Sequence, residues 1–139
     1  MKGIYILLIS IKRNILPKIG ALGNIKLAKG TYAYVGSAQN NMEKRIKRHL
    51  SKDKRFHWHI DYLLDNTDTE IKKILTKKSV KTEECRTAQR LSKMDEPIIG
   101  FGCSDCRCKS HLFKVDTLKL GGFKDETKNH LRQHSKTRL

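Results

Sequence analysis

The order of hydrophobic and polar positions along the chain predicts alternating strands and helices. Residues 4–11 are hydrophobic on both alternating faces and rich in β-branched side chains, which indicates a central strand covered from both sides. Residues 31–35 predict a second strand, on which Tyr32 and Tyr34 share one face. Between the two strands, residues 12–30 are basic and interrupted by proline and glycine, which favours a loose hairpin.

Later segments continue the alternation. A helical period of hydrophobic positions predicts helices over residues 41–52, 56–64, 82–94 and 122–134. Asn40 or Asn41 is suited to cap the first of them. Residues 71–76 and 111–115 are rich in strand-forming side chains and predict two further strands.

The length and the net charge of the chain limit the number of domains and the classes of binding partner. The chain has 139 residues, enough for one domain with a substantial core; we assign residues 1–121 to it, with 122–139 as its basic C-terminal helix and tail. The net charge of +16 favours nucleic acid as a partner over an anionic membrane surface. No hydrophobic run is long enough to span a bilayer, and the first is interpreted as a strand rather than a signal peptide. Clustered cysteines indicate a reducing, cytoplasmic location.

Two polar side chains share the buried side of the first predicted helix. Arg45 and His49 are four residues apart and lie beside the hydrophobic stripe of Met42 and Ile46, so both are expected to face inward. An arginine at a buried edge needs an anionic partner, and its guanidinium group matches a phosphate. A structural salt bridge with a packed histidine is the alternative, but the tyrosines upstream favour the phosphate.

A carboxylate also falls on a hydrophobic helix face. Glu84 shares the face of Ala88 and Leu91 in the helix predicted over residues 82–94. A carboxylate facing a core is costly unless it is paired or bound to a metal. One carboxylate with phosphate oxygens and waters is an ordinary way to hold Mg²⁺. An ion pair with Arg45 in the absence of ligand is the alternative.

A short cysteine-rich segment offers soft metal ligands: Cys103, Cys106, Cys108 and His111. They can form a structural zinc site, to which Cys85 or the pair His57 and His59 can contribute. The segment lacks two paired Cys-x-x-Cys motifs, so buried thiols around a turn are favoured over zinc, and a strained disulfide ranks third.

Two short motifs, and three residues that follow them, resemble the GIY-YIG endonuclease superfamily. These are Gly3-Ile4-Tyr5 and Tyr34-Val35-Gly36, followed by Arg45, His49 and Glu84. Through residues 57–64 and 100–113, the whole chain also resembles a small microbial subfamily long catalogued as a domain of unknown function. The resemblance implies an α/β domain of the α+β type. Its small central antiparallel sheet of three strands would be flanked by helices, with the basic hairpin inserted between the motif strands.

The resemblance also implies roles for five residues. Tyr5 would be the general base, and Tyr34 would orient water or phosphate. Arg45 would stabilise charge on the phosphate, while His49 would support the nucleophile or relay a proton. Glu84 would hold the metal, Mg²⁺ or Mn²⁺. A phenol has a pKa of about 10, so this base requires a cation or a metal-bound water to lower it.

We therefore expect a metal-dependent endonuclease, a phosphodiester hydrolase acting on DNA. A single small domain has limited surface for base readout, so branched, damaged or nicked DNA, or a repair-protein partner, is expected to supply specificity. Trp58 is interpreted as a packing residue. Contacts to DNA are expected from Lys18, Lys26, Lys29 and His57, and from Lys44, Lys47 and Arg48, which are expected to point outward from their helix. The alternatives are a non-catalytic nucleic-acid-binding protein, including one directed at RNA, and a zinc-stabilised interaction module.

Overall fold

The computed structural model describes residues 2–103 and 108–131, and within them six strands form one open antiparallel sheet. The strands are β1 (Gly3–Ile11), β2 (Gly30–Ala38), β3 (Thr69–Lys78), β4 (Glu96–Pro97), β5 (Leu112–Val115) and β6 (Lys124–Asp125). Their order across the sheet is β4-β5-β2-β1-β3-β6. The prediction that β1 is central is confirmed, because it pairs with β2 on one side and β3 on the other.

Three α-helices accompany the sheet in the described part of the chain. They are α1 (Met42–Leu50), α2 (His59–Leu64) and α3 (Thr82–Met94), with a short 3-10 helix at Gly20–Leu22. The α+β class and the central antiparallel sheet are thus confirmed, although the sheet has six strands rather than three. None of the helices described has the length and apolar character that a membrane crossing requires.

Local interactions explain where the helices begin. The Asn41 side chain accepts a hydrogen bond from the Lys44 backbone N–H at 3.0 Å, so α1 starts with the predicted cap. Helix α2 begins at residue 59 rather than 56. The carboxylate of Asp61 accepts the backbone N–H groups of His57 and Trp58, which holds these residues ahead of the first turn.

The predicted helix over residues 122–134 is wrong at its start. Lys124 and Asp125 form β6 against Thr76 and Leu75, because the edge of β3 offers backbone groups that need partners. Residues 127–131 are helical, and residues 132–139 lie outside the described part of the chain. The Thr127 hydroxyl accepts the Ile74 backbone N–H at 3.0 Å, which ties this turn to the sheet.

The sheet is covered on both faces, as the double-sided hydrophobic pattern of β1 requires. On one face Tyr5, Leu7 and Ile9 pack with α1, α2 and the hairpin. On the other face Ile6 packs with the α3 residues Ala88 and Leu91. Helices α1 and α3 therefore approach the end of β2 from opposite sides.

The predicted hairpin is present but irregular. Ile15 and Leu27 pair through backbone hydrogen bonds of 2.9 and 3.0 Å. The hairpin joins the strands at the Ile11–Gly30 pair, whereas Tyr5 lies opposite Gly36 near the other end of the same register. The inserted residues therefore do not separate the two motif tyrosines.

Candidate functional site

A cavity of about 830 Å³ opens where α1, α3 and the end of β2 meet. Four of the five predicted catalytic residues line it: Tyr5, Tyr34, Arg45 and Glu84. The fifth, His49, lies behind the two tyrosines, with its ring centroid 5.4 Å from that of Tyr5 and 6.2 Å from that of Tyr34. Helix α1 supplies the arginine and the histidine, α3 the carboxylate, and adjacent strands the tyrosines.

Gly36 makes room for the Tyr5 ring. The two residues are direct partners in the β1–β2 register. A Cβ atom at position 36 would lie 2.5 Å from the Tyr5 hydroxyl, a distance that no side chain tolerates without movement. Glycine is needed here for close approach rather than for an unusual backbone angle. The third residue of the second motif thus positions the third residue of the first.

Tyr5 and His49 form a buried polar pair. The phenolic oxygen of Tyr5 lies 2.6 Å from His49 Nε2, within a hydrogen bond. Burial raises the pKa of Tyr5, and the nearby Arg45 guanidinium opposes that rise. Burial also lowers the pKa of His49 to about 3. Both groups are therefore uncharged at neutral pH.

Arg45 faces the cavity with a polar and an aromatic contact. Its guanidinium donates to the backbone carbonyl of Ser37 at 3.1 Å and lies 4.5 Å from the centre of the Trp58 ring. Trp58 is 36% exposed, so it stands at the mouth of the cavity rather than in the core. A second guanidinium, that of Arg48, lies 4.4 Å from the same ring. The ring thus orders two cations beside the cavity.

Glu84 also lines the cavity. It lies on the hydrophobic face of α3, as predicted, and accepts hydrogen bonds from the Ser37 hydroxyl and from His111 Nδ1 at 2.9 Å. These partners take the place of the ion pair with Arg45 that was the alternative interpretation. Burial raises the pKa of Glu84, but the hydrogen bonds from His111 and Ser37 outweigh it and leave the pKa below its usual value. The carboxylate is therefore ionised and retains lone pairs for a cation.

This set of groups fits a hard divalent cation. Glu84 supplies one ionised carboxylate at the wall of a polar cavity, and its side chain is 20% exposed. Mg²⁺ commonly uses one or two carboxylates and takes its other ligands from water and phosphate oxygens. Glu84 is accordingly the residue in this cavity that can hold Mg²⁺ or Mn²⁺.

A family model described as "Domain of unknown function DUF123" matches residues 4–136. The chain belongs to the DUF123 family. The matched range contains every residue that lines the cavity. Neither the comparison with curated proteins nor that with solved structures gives a match.

The predicted DNA contacts of the DUF123 chain divide into two groups. Lys44, Arg48 and His57 line the cavity, whereas the hairpin lysines and Lys47 do not. Arg48 was predicted to point outward, but its guanidinium is half-buried and binds the Asp61 carboxylate at 3.0 and 2.9 Å. The hairpin lysines that do not line the cavity are Lys18, Lys26 and Lys29.

Sequence reasoning missed two residues that shape the cavity wall of the DUF123 chain. Asp61 is fully buried and receives Arg48, while Lys54 Nζ lies 3.9 Å from the same carboxylate. Lys54 also donates to the carbonyls of Arg48 and His49 at the end of α1. Lys54 lies between two predicted helices, where no hydrophobic period exists to indicate burial, and Asp61 is a polar position within the helix predicted over residues 56–64.

The predicted zinc ligands are only partly assembled. Ligand atoms of Cys108 and His111 gather with that of Cys85. Among the residues described, Cys103 is not a member of this group. Cys106 lies outside the described residues.

Burial of His49 predicts acid sensitivity. An unfolded histidine binds a proton with a pKa of about 6.5, whereas folded His49 resists protonation down to about pH 3. Stability from this group is therefore complete above pH 6.5 and is lost as the pH falls towards 3. Between pH 7 and 5, the loss should be about 2 kcal/mol, measured by urea unfolding.

The matched comparison is His49→Gln against His57→Gln. His57 is exposed, so its replacement should leave the pH dependence of the unfolding free energy unchanged. His49→Gln should flatten that dependence between pH 7 and 5. Equal slopes in the wild type and His49→Gln would contradict the assignment.

Proposed function

We propose that the chain is a divalent-metal-dependent endonuclease that hydrolyses DNA phosphodiester bonds, and that it is a member of the GIY-YIG superfamily. The observation that supports this proposal is the convergence of Tyr5, Arg45 and Glu84 on one cavity. They come from β1, α1 and α3, and a purely structural pairing does not require them to share a wall. The order of the two motifs and of the three residues that follow them adds to this support.

Arg45 is the group that binds the scissile phosphate. Its contacts include the Ser37 carbonyl, the Trp58 ring and the Tyr5 phenol, none of which carries a charge that would neutralise the guanidinium. A phosphodiester entering the cavity supplies the missing anion. As the phosphate becomes five-coordinate, charge grows on its oxygens, and a fixed guanidinium stabilises that charge more than the ground state.

The Tyr5–His49 pair removes the proton from the attacking water. Both groups are neutral before reaction, so a free tyrosinate is not required. The phenolic oxygen accepts a proton from water as the phenol passes its own proton to His49 Nε2, 2.6 Å away. One proton enters the pair and remains on the imidazole. The negative charge that a bound phosphate brings favours that protonated imidazole.

Glu84 would hold the metal at the wall of the cavity. A bound Mg²⁺ supplies Lewis-acid stabilisation of the phosphate and the leaving oxygen. The hydrogen bonds from Ser37 and His111 hold the carboxylate in one orientation. A protein that only binds nucleic acid has no need of an ionised carboxylate beside phosphate, and this favours an enzyme over a silent binder.

DNA with an irregular structure is the proposed substrate class. The net charge of +16 suits backbone contacts, which hold a duplex without reading its sequence. Lys44 and His57 extend these contacts around the cavity mouth, and the hairpin lysines add positive charge beyond it. Branched, damaged or nicked sites expose a phosphodiester to a concave pocket. This substrate class is consistent with a role in DNA repair or processing.

The test is cleavage of supercoiled, damaged and branched DNA with Mg²⁺ or Mn²⁺. Arg45→Ala and Glu84→Gln should each reduce cleavage about 10²–10³-fold while binding, measured separately, persists. Lys119→Ala is the charge-matched control for Arg45→Ala, because Lys119 is exposed and does not line the cavity. If the wild type binds every substrate and cuts none, the enzyme proposal is wrong and a non-catalytic binder, including one for RNA, replaces it.

A further inference from the structure

Three soft side chains from separate parts of the chain meet beside the cavity. They are Cys85 in the first turn of α3, and Cys108 and His111 in the segment that leads into β5. One ligand atom from each lies within 4.8 Å of the other two. In a tetrahedral zinc site with Zn–S of about 2.3 Å and Zn–N of about 2.0 Å, ligand atoms lie about 3.5–4 Å apart. The three groups therefore need only a small approach to share one ion.

We propose that Cys85, Cys108 and His111 bind a zinc ion that joins α3 to the segment before β5, with a further ligand completing the tetrahedron. Two thiolates and an imidazole select Zn²⁺ over the hard cations Mg²⁺ and Ca²⁺. The site is distinct from the proposed magnesium position, which uses the carboxylate of Glu84. Its ligands include Cys85, which the sequence offered as a further contributor, and do not include Cys103.

The orientation of His111 suits a metal ligand. Its Nδ1 atom faces two acceptors, the Glu84 carboxylate at 2.9 Å and the Val35 carbonyl at 3.2 Å. Nδ1 therefore carries the proton and donates, and in this tautomer Nε2 is the ring nitrogen that can bind a metal. Zinc-bound histidines commonly donate their other ring nitrogen to a carboxylate or a carbonyl, which fixes the tautomer and the ring orientation.

The charge around Cys108 favours thiolates. A second cavity, of about 570 Å³, places Cys108 beside four basic side chains: Arg86, Arg90, Lys93 and Lys109. Neighbouring cations stabilise a thiolate relative to a thiol. A divalent ion with two thiolates is neutral as a unit, so its half-buried position is not penalised by a net charge.

The zinc site and the proposed active site would be coupled through one hydrogen bond. The ion would hold His111, and His111 Nδ1 holds Glu84 at 2.9 Å. Zinc would thereby position the carboxylate without touching the substrate. This coupling rests on the proposed nuclease function, whereas zinc binding does not.

The experiment measures zinc in the purified full chain, prepared without chelators from zinc-supplemented cells. Elemental analysis should give one zinc per chain, and X-ray absorption of the wild type should give a shell of sulfur and imidazole ligands. A protein without zinc, or a shell of oxygen and nitrogen alone, would overturn the site. This measurement needs no variant and no cleavage assay, so its failure is separate from failure of the nuclease proposal.

Two cysteine variants then assign the ligands. Cys85→Ser should lose stoichiometric zinc, whereas Cys103→Ser, the matched control, should keep it. The reverse result would overturn this ligand set. Glu84→Gln should retain the site but bind zinc about 10–100-fold more weakly, measured in competition with a chelator. A loss of affinity of this size is usual when a group that orients a metal ligand is removed. An unchanged affinity would contradict the link between Glu84 and the zinc.

Discussion

Replacing Tyr5 by phenylalanine is expected to reduce DNA cleavage about 10²–10⁴-fold while the protein still folds and binds DNA. The substitution removes the hydroxyl that is hydrogen-bonded to His49 and that, in the proposed mechanism, exchanges a proton with water. It keeps the ring that fills the space above Gly36. The rate should be measured under single turnover with Mg²⁺, so that product release does not mask the chemical step.

Tyr32 supplies the matched control for this experiment. It is a buried tyrosine on the same face of the sheet, but its hydroxyl donates to the Ala28 carbonyl at 2.7 Å and does not line the cavity. Tyr32→Phe should therefore cleave at the wild-type rate. If Tyr5→Phe also cleaves at that rate, the proton transfer through Tyr5 is refuted.

Gly36→Ala tests whether the position of the Tyr5 ring matters, because it leaves the phenol itself in the chain. The added methyl would force the Tyr5 ring to move while every reacting group remains in the chain. Loss of cleavage with unchanged DNA binding would show that the phenol must occupy its present place. Retained cleavage would mean that the close approach of Tyr5 and Gly36 has no catalytic consequence.

Asp61→Asn is expected to produce the largest loss of stability, about 3–5 kcal/mol. The carboxylate is fully buried and pairs with Arg48, and Lys54 Nζ lies 3.9 Å away. It also accepts the backbone N–H groups of His57 and Trp58 ahead of α2. An amide has the same shape, but it leaves the partly buried cations without an anion. The free energy of unfolding in urea measures the effect.

Asp53→Asn is the control for the change of charge. Asp53 is exposed, so its replacement should alter stability by less than about 0.5 kcal/mol. Asp61→Asn should also loosen Arg48 and, through it, the Trp58 ring beside the cavity. If the two variants unfold at the same urea concentration, Asp61 does not carry the proposed structural role.

The sequence predicts well those strands and helices whose hydrophobic positions repeat regularly over several residues. Strand β1 and helix α3 have hydrophobic patterns long enough to assign their type and their buried faces, and Glu84 was placed correctly by the same argument. The edge strands β4 and β6 were not predicted. Each has two residues, and so short a segment has no period.

The errors at the site have a common physical origin. A helical wheel separates the faces of α1 but does not show which loop covers them, so Arg48 was predicted to be exposed. In the structure the segment containing Trp58 and Asp61 covers that side. Cys85 joins Cys108 and His111 through the folding of α3 against the sheet, a contact between residues distant in sequence.

The two edge strands of the sheet affect the tendency of the protein to aggregate where many copies would bind along one polyanion. Strand β4 contributes only Glu96 and Pro97, and β6 only Lys124 and Asp125. A proline without an N–H and short, charged edges offer little for another chain to extend. These two short strands would thus offer neighbouring copies on the same DNA little template for strand-to-strand aggregation, even where nucleic acid screens the repulsion between their positive charges.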